Sequence, residues 1–227
     1  DIDATVALLV SLAAPSVPAP VVELGSGTGR LAFPLARAIG ERTLIAIDSS
    51  PEMLAVAERK GPPSNVVTIT GDMVEVLRGP DVPAAGLVFV AYNTFFNLTA
   101  PGAQQACFDA VAARLAPGGC FVIEAFVPDD RGAQRDHVEV RSMTAAHVVL
   151  SISRFDGDHG AAGQFVEFSE KSGIRLRPWH IVYASPAELD AMAARAGLTL
   201  HARWEDTART PFTPDSQRHV SVYTPPT

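Results

Sequence analysis

The fold turns on Val21-Val22-Glu23-Leu24-Gly25-Ser26-Gly27-Thr28-Gly29. Val21 to Leu24 read as a short strand buried on both faces, as in a parallel sheet. The glycines that follow let the chain bend tightly and bring backbone close to a ligand. Apolar residues resume between Arg30 and Ile39 and stop at Gly40, so a helix is expected there. A dinucleotide fingerprint would need another glycine where Arg30 stands. Glu23 would repel a pyrophosphate and suits a cationic ligand better.

Working outward, the first 130 residues alternate short strands with helical patterns. A helix from Asp3 to Ala13 is stopped by Pro15. Strands are expected at Thr43–Ile47, Asn65–Thr70, Leu87–Ala91 and Cys120–Phe126. Ser50 is a candidate N-cap with Pro51 at the first helical position, opening a helix to about Arg59. Gln104–Leu115 is helical, and Pro117-Gly118-Gly119 forces a turn. This alternation implies an α/β fold, a mostly parallel sheet with helices on both faces.

The rhythm then changes. Val138–Val140, His147–Phe155, Gln164–Ser169 and Ile174–Tyr183 read as successive strands separated by turns at Asp156-Gly157-Asp158, His159-Gly160 and Ser172-Gly173. A small antiparallel β lobe, residues 131–183, is thus inserted into a core made of 1–130 and 184–227. A helix from Pro186 to Ala196 precedes two final strands, Leu198–Trp204 and His219–Tyr223, paired antiparallel.

Composition narrows the function. Of 227 residues, 47% are hydrophobic and 19% charged, an ordinary globular balance. The net charge is -7 and no run of Lys or Arg occurs, which disfavours nucleic acid as substrate or partner. The two cysteines, Cys107 and Cys120, form no Cys-x-x-Cys pair, and His137, His147, His159, His201 and His219 have no metal-binding spacing, so no metal is expected. Free cysteines suit a reducing, cytoplasmic setting. The longest apolar run, about Ala84 to Tyr92, is far short of the ~20 residues that span a bilayer, so no membrane partner is expected. The sequence leaves a homodimer open.

Glu-Leu-Gly-Ser-Gly-Thr-Gly, Glu23 to Gly29, resembles motif I of the class I, Rossmann-like methyltransferases that use S-adenosylmethionine. Three further pieces fall in the order of that family. Ile45-Ala46-Ile47-Asp48 ends the second strand with an acid, Gly71-Asp72-Met73 follows the third, and Arg114-Leu115-Ala116-Pro117-Gly118-Gly119 precedes the fifth. The resemblance covers Thr5 to Glu124 best. It implies S-adenosyl-L-methionine as cofactor and S-adenosyl-L-homocysteine as product. It also implies roles. Asp48, with Ser49 beside it, would accept from the ribose hydroxyls. Asp72 would accept from the adenine amino group, with Met73 and Met53 flanking the ring. Glu23 would order water or the cofactor's ammonium end. Gly25 and Gly27 would make room for its methionine portion, and Gly29 would permit helix–sheet packing. Similar enzymes carry a longer segment ahead of motif I that closes over the cofactor. Here twenty residues precede Val21, and whether a lid belongs to this chain is left open.

The reacting end is expected at Ala91-Tyr92-Asn93-Thr94-Phe95-Phe96, beyond the fourth strand. Ala91 would offer its carbonyl to the cofactor, Tyr92 and Asn93 would fix an acceptor by hydrogen bonds, and Phe96 or Phe95 would exclude water. The alternative is that both phenylalanines are core and Asn93 caps a turn. Amine methyltransferases of DNA carry an Asn/Asp-Pro-Pro-aromatic signature here, which this chain lacks. In the lobe, alternation puts Trp179 and Tyr183 on one face, as substrate contacts, and His180 on the other, as a candidate base or a surface residue. Glu124, a charge inside an apolar strand, would face the acceptor or pair with Arg154.

The expected reaction is in-line methyl transfer to a small molecule, with an amine nitrogen favoured by resemblance to amino-sugar and peptide-amine methyltransferases. O-methylation with His180 as base is the nearest alternative. An NAD-dependent oxidoreductase and a non-catalytic cofactor-binding module are the rivals from other classes.

Overall fold

The computed structural model describes residues 1–13, 19–128, 136–155 and 159–226. The expected stop at Pro15, the turn at Asp156-Gly157-Asp158 and the junction at 130/131 lie outside these. The chain divides into two compact units, one of Asp1–Phe95, Pro101–Val127 and Pro186–Thr227, the other of Phe96–Ala100 and Pro128–Ser185.

In the first unit, helix α1 (Ile2–Leu12) starts at Asp1, whose carboxylate accepts from the Asp3 N–H. Strand β1 (Val21–Leu24) is buried along its whole length. The helix after the Gly-rich turn, α2 (Ala32–Ala38), begins two residues later than expected, because Arg30 and Leu31 still belong to the turn. Strand β2 (Leu44–Asp48), helix α3 (Pro51–Arg59) and strand β3 (Val66–Thr70) follow the sequence reading, and Ser50 caps α3 by accepting from the Met53 N–H. Helix α4 (Met73–Arg78) was not expected. Asp72 caps it, accepting from the Val74 and Glu75 N–H groups. Arg114 closes its other end by donating to the carbonyls of Arg78 and Gly79 at 3.0 and 2.7 Å.

Strand β4 (Ala85–Val90), helix α5 (Ala103–Arg114) and strand β5 (Leu115–Phe126) come next. The expected turn at Pro117-Gly118-Gly119 is instead an excursion within β5. Leu115 pairs with Ala85, the register shifts, and pairing resumes at Cys120 with Leu87. Pro117 cannot donate to a ladder, so the strand bulges around it. After the second unit, helix α6 (Pro186–Arg195) leads to two antiparallel strands numbered below as β10 and β11.

The sheet of this unit places β1 between β2 and β4, with β3 outside β2 and β5 outside β4. The chain winds one way from β1 to β3 and the other way from β4 on. Between β1 and β4 lies the switch point, where a crevice opens at the carboxyl ends of the strands. One face of the sheet packs on α1, α2 and α3 through Leu8, Leu9, Leu35, Ala57, Phe89 and Val122. On the other face, Phe108 of α5 meets Phe95, Phe121 and Tyr223 edge-on at 5.3–5.6 Å. Such pairs add about 0.5–1.5 kcal/mol each beyond burial. Cys107 and Cys120 are free and buried, and burial pushes both thiols up to about 12.

The second unit holds four strands, β6 (Asp136–Met143), β7 (His147–Phe155), β8 (Gly160–Ser169) and β9 (Gly173–Val182), in an antiparallel meander. Strand β7 has the bounds read from sequence, β9 is displaced by one residue, and β6 and β8 begin earlier than the runs read, with β6 also ending later. Residues opposite one another share a face. Val140, Leu150, Val166 and Leu176 form one row across the sheet. On the same face, Val138 and Ile152 lie in the row on one side, with Gln164 and Pro178. Met143, Val148, Phe168 and Ile174 make the row on the other side. The opposite face carries Glu139, Glu167, Arg175 and Arg177, with His147 Nε2 at 3.0 Å from Glu167.

Strands β10 (Thr199–Trp204) and β11 (Arg218–Thr224) complete the first sheet, with β11 against β5. Arg203 ties α6 to this edge, donating to both oxygens of Asp190 and to Ser221 Oγ. Among the described residues no helix is long and apolar enough to cross a membrane, and no group of three metal-ligating side chains occurs.

Candidate active site

The Gly-rich turn is held from beneath. The N–H groups of Gly25 and Ser26 both donate to the carbonyl of Ile47, at 2.8 and 2.9 Å. The Gly27 N–H donates to Asp48 Oδ2 at 2.7 Å, and the Gly29 N–H to the carbonyl of Ser26 at 3.1 Å. Lys60 Nζ reaches the Thr28 carbonyl and hydroxyl, each at 2.8 Å. Four N–H groups of the turn are therefore spent inside the protein and are not free to cradle a phosphate. A Cβ on Gly29 would stand 2.6 Å from the Phe33 ring, so this glycine lets α2 close on the sheet. A Cβ on Gly27 would meet nothing within 4 Å, and its φ of +56° is left-handed.

Above the turn lies a cleft of about 160 Å³. Glu23, Gly25, Gly27, Met53, Ala91 and Tyr92 line it, which brings together six residues singled out from sequence. Asp48, Ser49, Asp72 and Met73 are not among its lining residues. The Gly71 N–H bonds the Asp48 carbonyl at 3.0 Å, so the two acidic turns are neighbours. Asp48 accepts from Gly27 and, through its other oxygen, from the Ser50 N–H at 2.9 Å. A carboxylate offers about four lone pairs, so capacity for a diol remains. Asp72 spends Oδ1 on the α4 cap at 2.9 and 3.1 Å.

Glu23 differs. It is buried in β1, and its Oε2 meets no partner. Burial holds its carboxyl well above the usual carboxylate range, against the opposing pull of Arg30; the nearby charge of Asp48 pushes the same way as burial. A buried acid with an unpaired oxygen, facing a cleft, fits a ligand that brings positive charge and N–H donors. S-adenosylmethionine carries both in its ammonium and sulfonium groups. Glu23 would hold its amino-acid end in the space that Gly27 leaves open, and the Met53 side chain would cover its nucleoside. When bound, the cofactor supplies a methyl group on a positively charged sulfur.

The segment after β4 is strained. Tyr92 and Asn93 have φ of +54° and +63°, two successive left-handed residues without glycine. Each such residue costs on the order of 1 kcal/mol. Three bonds to β5 hold them. The Tyr92 N–H donates to Glu124 Oε2 at 3.4 Å and the Asn93 N–H to the Glu124 carbonyl at 3.2 Å. Asn93 Oδ1 accepts from the Phe126 N–H at 2.7 Å. Asn93, expected from sequence to fix an acceptor by hydrogen bonds, thus also braces two strand ends through its Oδ1. The Arg30 guanidinium stacks 3.6 Å over the Tyr92 ring. Phe96 is fully buried, as is Phe95.

Tyr92 also lines a second cavity, of about 270 Å³, with Glu124, Glu205, Asp206, Thr207 and Arg218. Burial raises the Glu124 pKa, against the Tyr92 N–H and the charges of Arg218 and Arg30. Asp206 is held low by hydrogen bonds from Thr210 and Ala208, so it stays ionised. Arg154 does not pair with Glu124; it pairs with Asp136 at 2.7 Å. In the other unit, Trp179 lies over Gly163, Tyr183 stands near His159, and His180 is exposed on the opposite face of β9 from Trp179.

Sequence reasoning missed Arg30, Thr94, Glu205, Asp206 and Arg218. Arg30 had a signal, since it occupies the place of a fingerprint glycine. The Thr94 methyl fills the space that a Cβ on Gly25 would need. The last three lie about eighty residues or more beyond Glu124, and only the return of β11 against β5 brings them near.

Residues 21–119 match the model of a methyltransferase domain family. No curated protein sequence matches the chain. The CcbJ methyltransferase from Streptomyces caelestis is 34% identical and superposes with a TM-score of 0.88, over 100% of this chain and 91% of that one. CalS10 from Micromonospora echinaspora, an amino pentose methyltransferase solved with S-adenosylmethionine bound, is 21% identical, with a TM-score of 0.70 over 98% of this chain and 90% of its own. The sugar N-methyltransferase KedS8 from Streptoalloteichus is 19% identical with a TM-score of 0.70, over 98% and 87%. At these lower identities the likeness is one of fold. Motif order, cleft and a full-length match at 34% identity agree, and the chain belongs to the class I S-adenosylmethionine-dependent methyltransferases.

Proposed function

We propose that this enzyme transfers the methyl group of S-adenosylmethionine to an amine nitrogen of a small molecule. The second cavity carries the reading. Its carboxylates, Glu124, Glu205 and Asp206 among them, outnumber its one arginine, Arg218. An acidic hollow that shares Tyr92 with the cofactor cleft recruits a cationic acceptor. Such an acceptor must lose a proton before its nitrogen can attack. Glu124 is suited to take it, because burial raises its affinity for protons. Tyr92, held by Arg30 above and Glu124 below, would orient the nitrogen. CalS10 and KedS8 are described as amino pentose and sugar N-methyltransferases, which accords with an amino sugar as acceptor. A cytoplasmic setting belongs to the same proposal.

The test offers labelled S-adenosylmethionine with a panel of amino sugars and with the same sugars N-acetylated. Label should pass to the free amines and not to the acetylated set. Equal transfer to both would point to a hydroxyl acceptor and overturn the reading.

A further inference from the structure

Helix α1 and the turn after β10 both wall the second cavity, the helix through Ala4 and Thr5, the turn through Glu205, Asp206, Thr207 and Ala208. The turn is preformed. Its ends meet where the Glu205 N–H donates to the Thr210 carbonyl at 2.8 Å and where Trp204 bridges to Pro211. Inside it, Asp206 accepts from the Ala208 and Thr210 N–H groups at 2.9 and 3.1 Å and from the Thr210 hydroxyl at 2.9 Å. Among the described residues, one hydrogen bond joins this turn to α1: Arg209 Nη2 donates to Ser11 Oγ at 2.8 Å. The same guanidinium lies 5.1 Å over the Trp204 ring.

Both partners in that bond are locally costly. Arg209 stands at φ +64°, where glycine would sit without strain. The backbone alone therefore gives no reason for arginine; what arginine adds is its reach to Ser11 and its stack on Trp204. Ser11 lies in the last turn of α1, with its hydroxyl donating back to the Leu8 carbonyl at 2.6 Å. Alanine would favour the helix more.

We propose that Arg209 is a positioning residue for the acceptor: it straps the 205–210 turn to α1 and so fixes the width of the second cavity and the places of Glu205 and Asp206 in it. This rests on reading that cavity as the acceptor site, and not on which atom is methylated. With the strap cut, the turn stays folded on its own bonds but pivots away from α1 at its neck, and the acceptor loses the wall that carries two of its carboxylates. The cofactor cleft is lined by none of these residues and stays as it is.

Ser11→Ala and Arg209→Gly each cut the strap while relieving a local cost, so both chains should fold. The first test needs no acceptor. Trypsin cleaves after arginine, and the engaged Arg209 side chain is withheld from it. Cleavage between Arg209 and Thr210, read by fragment mass, should run about ten-fold faster in Ser11→Ala, the worth of one hydrogen bond to a charged group. The second test uses the sugar of the labelled panel that takes most label. Its KM should rise about ten-fold in either variant, with kcat within about two-fold and S-adenosylhomocysteine affinity unchanged. The two variants combined should do no more than either alone, and Arg209→Lys should restore most of the loss. An unchanged cleavage rate overturns the strap. Faster cleavage with an unchanged KM leaves the strap standing and overturns the reading of this cavity as the acceptor site. A loss shared by KM, kcat and cofactor affinity also overturns the positioning role, as the mark of a merely weakened fold. Should no sugar take label, the cleavage rates decide the strap alone.

Discussion

Two pairs of acids stand at the carboxyl edge of the first sheet, and they are treated in opposite ways. Asp48 and Asp72, at the ends of β2 and β3, give their oxygens to backbone N–H groups and so shape the turns that carry them. Glu23 and Glu124, inside β1 and β5, are taken out of water and held at raised pKa. The first pair makes the floor of the site. The second pair turns acceptor capacity toward the two cavities: Glu23 Oε2 has no partner, and Glu124 Oε2 accepts from the Tyr92 N–H at a long 3.4 Å. Scaffold and recognition are thus divided between neighbouring carboxylates, and each half of the division can be tested.

The largest effect should come from Asp48→Ala. It strips acceptors from Gly27 and Ser50, and each charge-assisted bond is worth about 1.5–3 kcal/mol. Calorimetry should find S-adenosylhomocysteine binding weakened about 100-fold and the fold less stable by ~3 kcal/mol or more. Loss of stability alone would assign Asp48 wholly to the floor. Glu23→Gln should separate the two quantities. The Glu23 pKa is raised on folding, so the folded state holds its proton longer. Native stability therefore falls as pH climbs from the unfolded pKa to the raised folded one, and stays lower above it. The glutamine variant escapes that loss. Its melting temperature should exceed the wild type's at pH 7 and approach it in acid, while cofactor affinity drops about ten-fold. A variant less stable at neutral pH would mean that Glu23 is paired in solution.

Glu124→Gln should act on turnover, lowering kcat about ten-fold with cofactor affinity unchanged. In the wild type, rate should rise with pH through an inflection above the usual carboxylate range, and the variant should lack that limb. An identical profile would remove Glu124 from proton transfer. The smallest effect belongs to Asp72→Ala, a lost helix cap worth ~1 kcal/mol in a thermal melt. A large drop in affinity there would shift Asp72 to the recognition side.

This division was only half legible in the sequence. Positions of the acids could be read, since strand periodicity and turn residues place them on one sheet edge. Their partners could not. From the resemblance Asp72 reads as an adenine contact; Asp72-Met73-Val74-Glu75 also spells a helix start, and the cap Asp72 makes on α4 comes in addition to that role. Asn93 reads as an acceptor ligand from its side-chain chemistry, while its bracing role depends on a left-handed φ that a sequence does not display. The acidity of the second cavity depends on Glu205 and Asp206, which local pattern cannot bring to Glu124. The Pro-Gly-Gly excursion looked like a turn because the same residues that end a strand also bulge one.

The two buried cysteines have a practical side. With a pKa near 12, a thiol at pH 8 is ionised to roughly one part in ten thousand, and only the thiolate reacts. Maleimide dyes should pass over the native chain. A cysteine introduced at exposed Glu139 and another at exposed Arg59, both outside the cleft lining, would then carry the only labels, and energy transfer between them would report the distance between the β lobe and helix α3 during turnover.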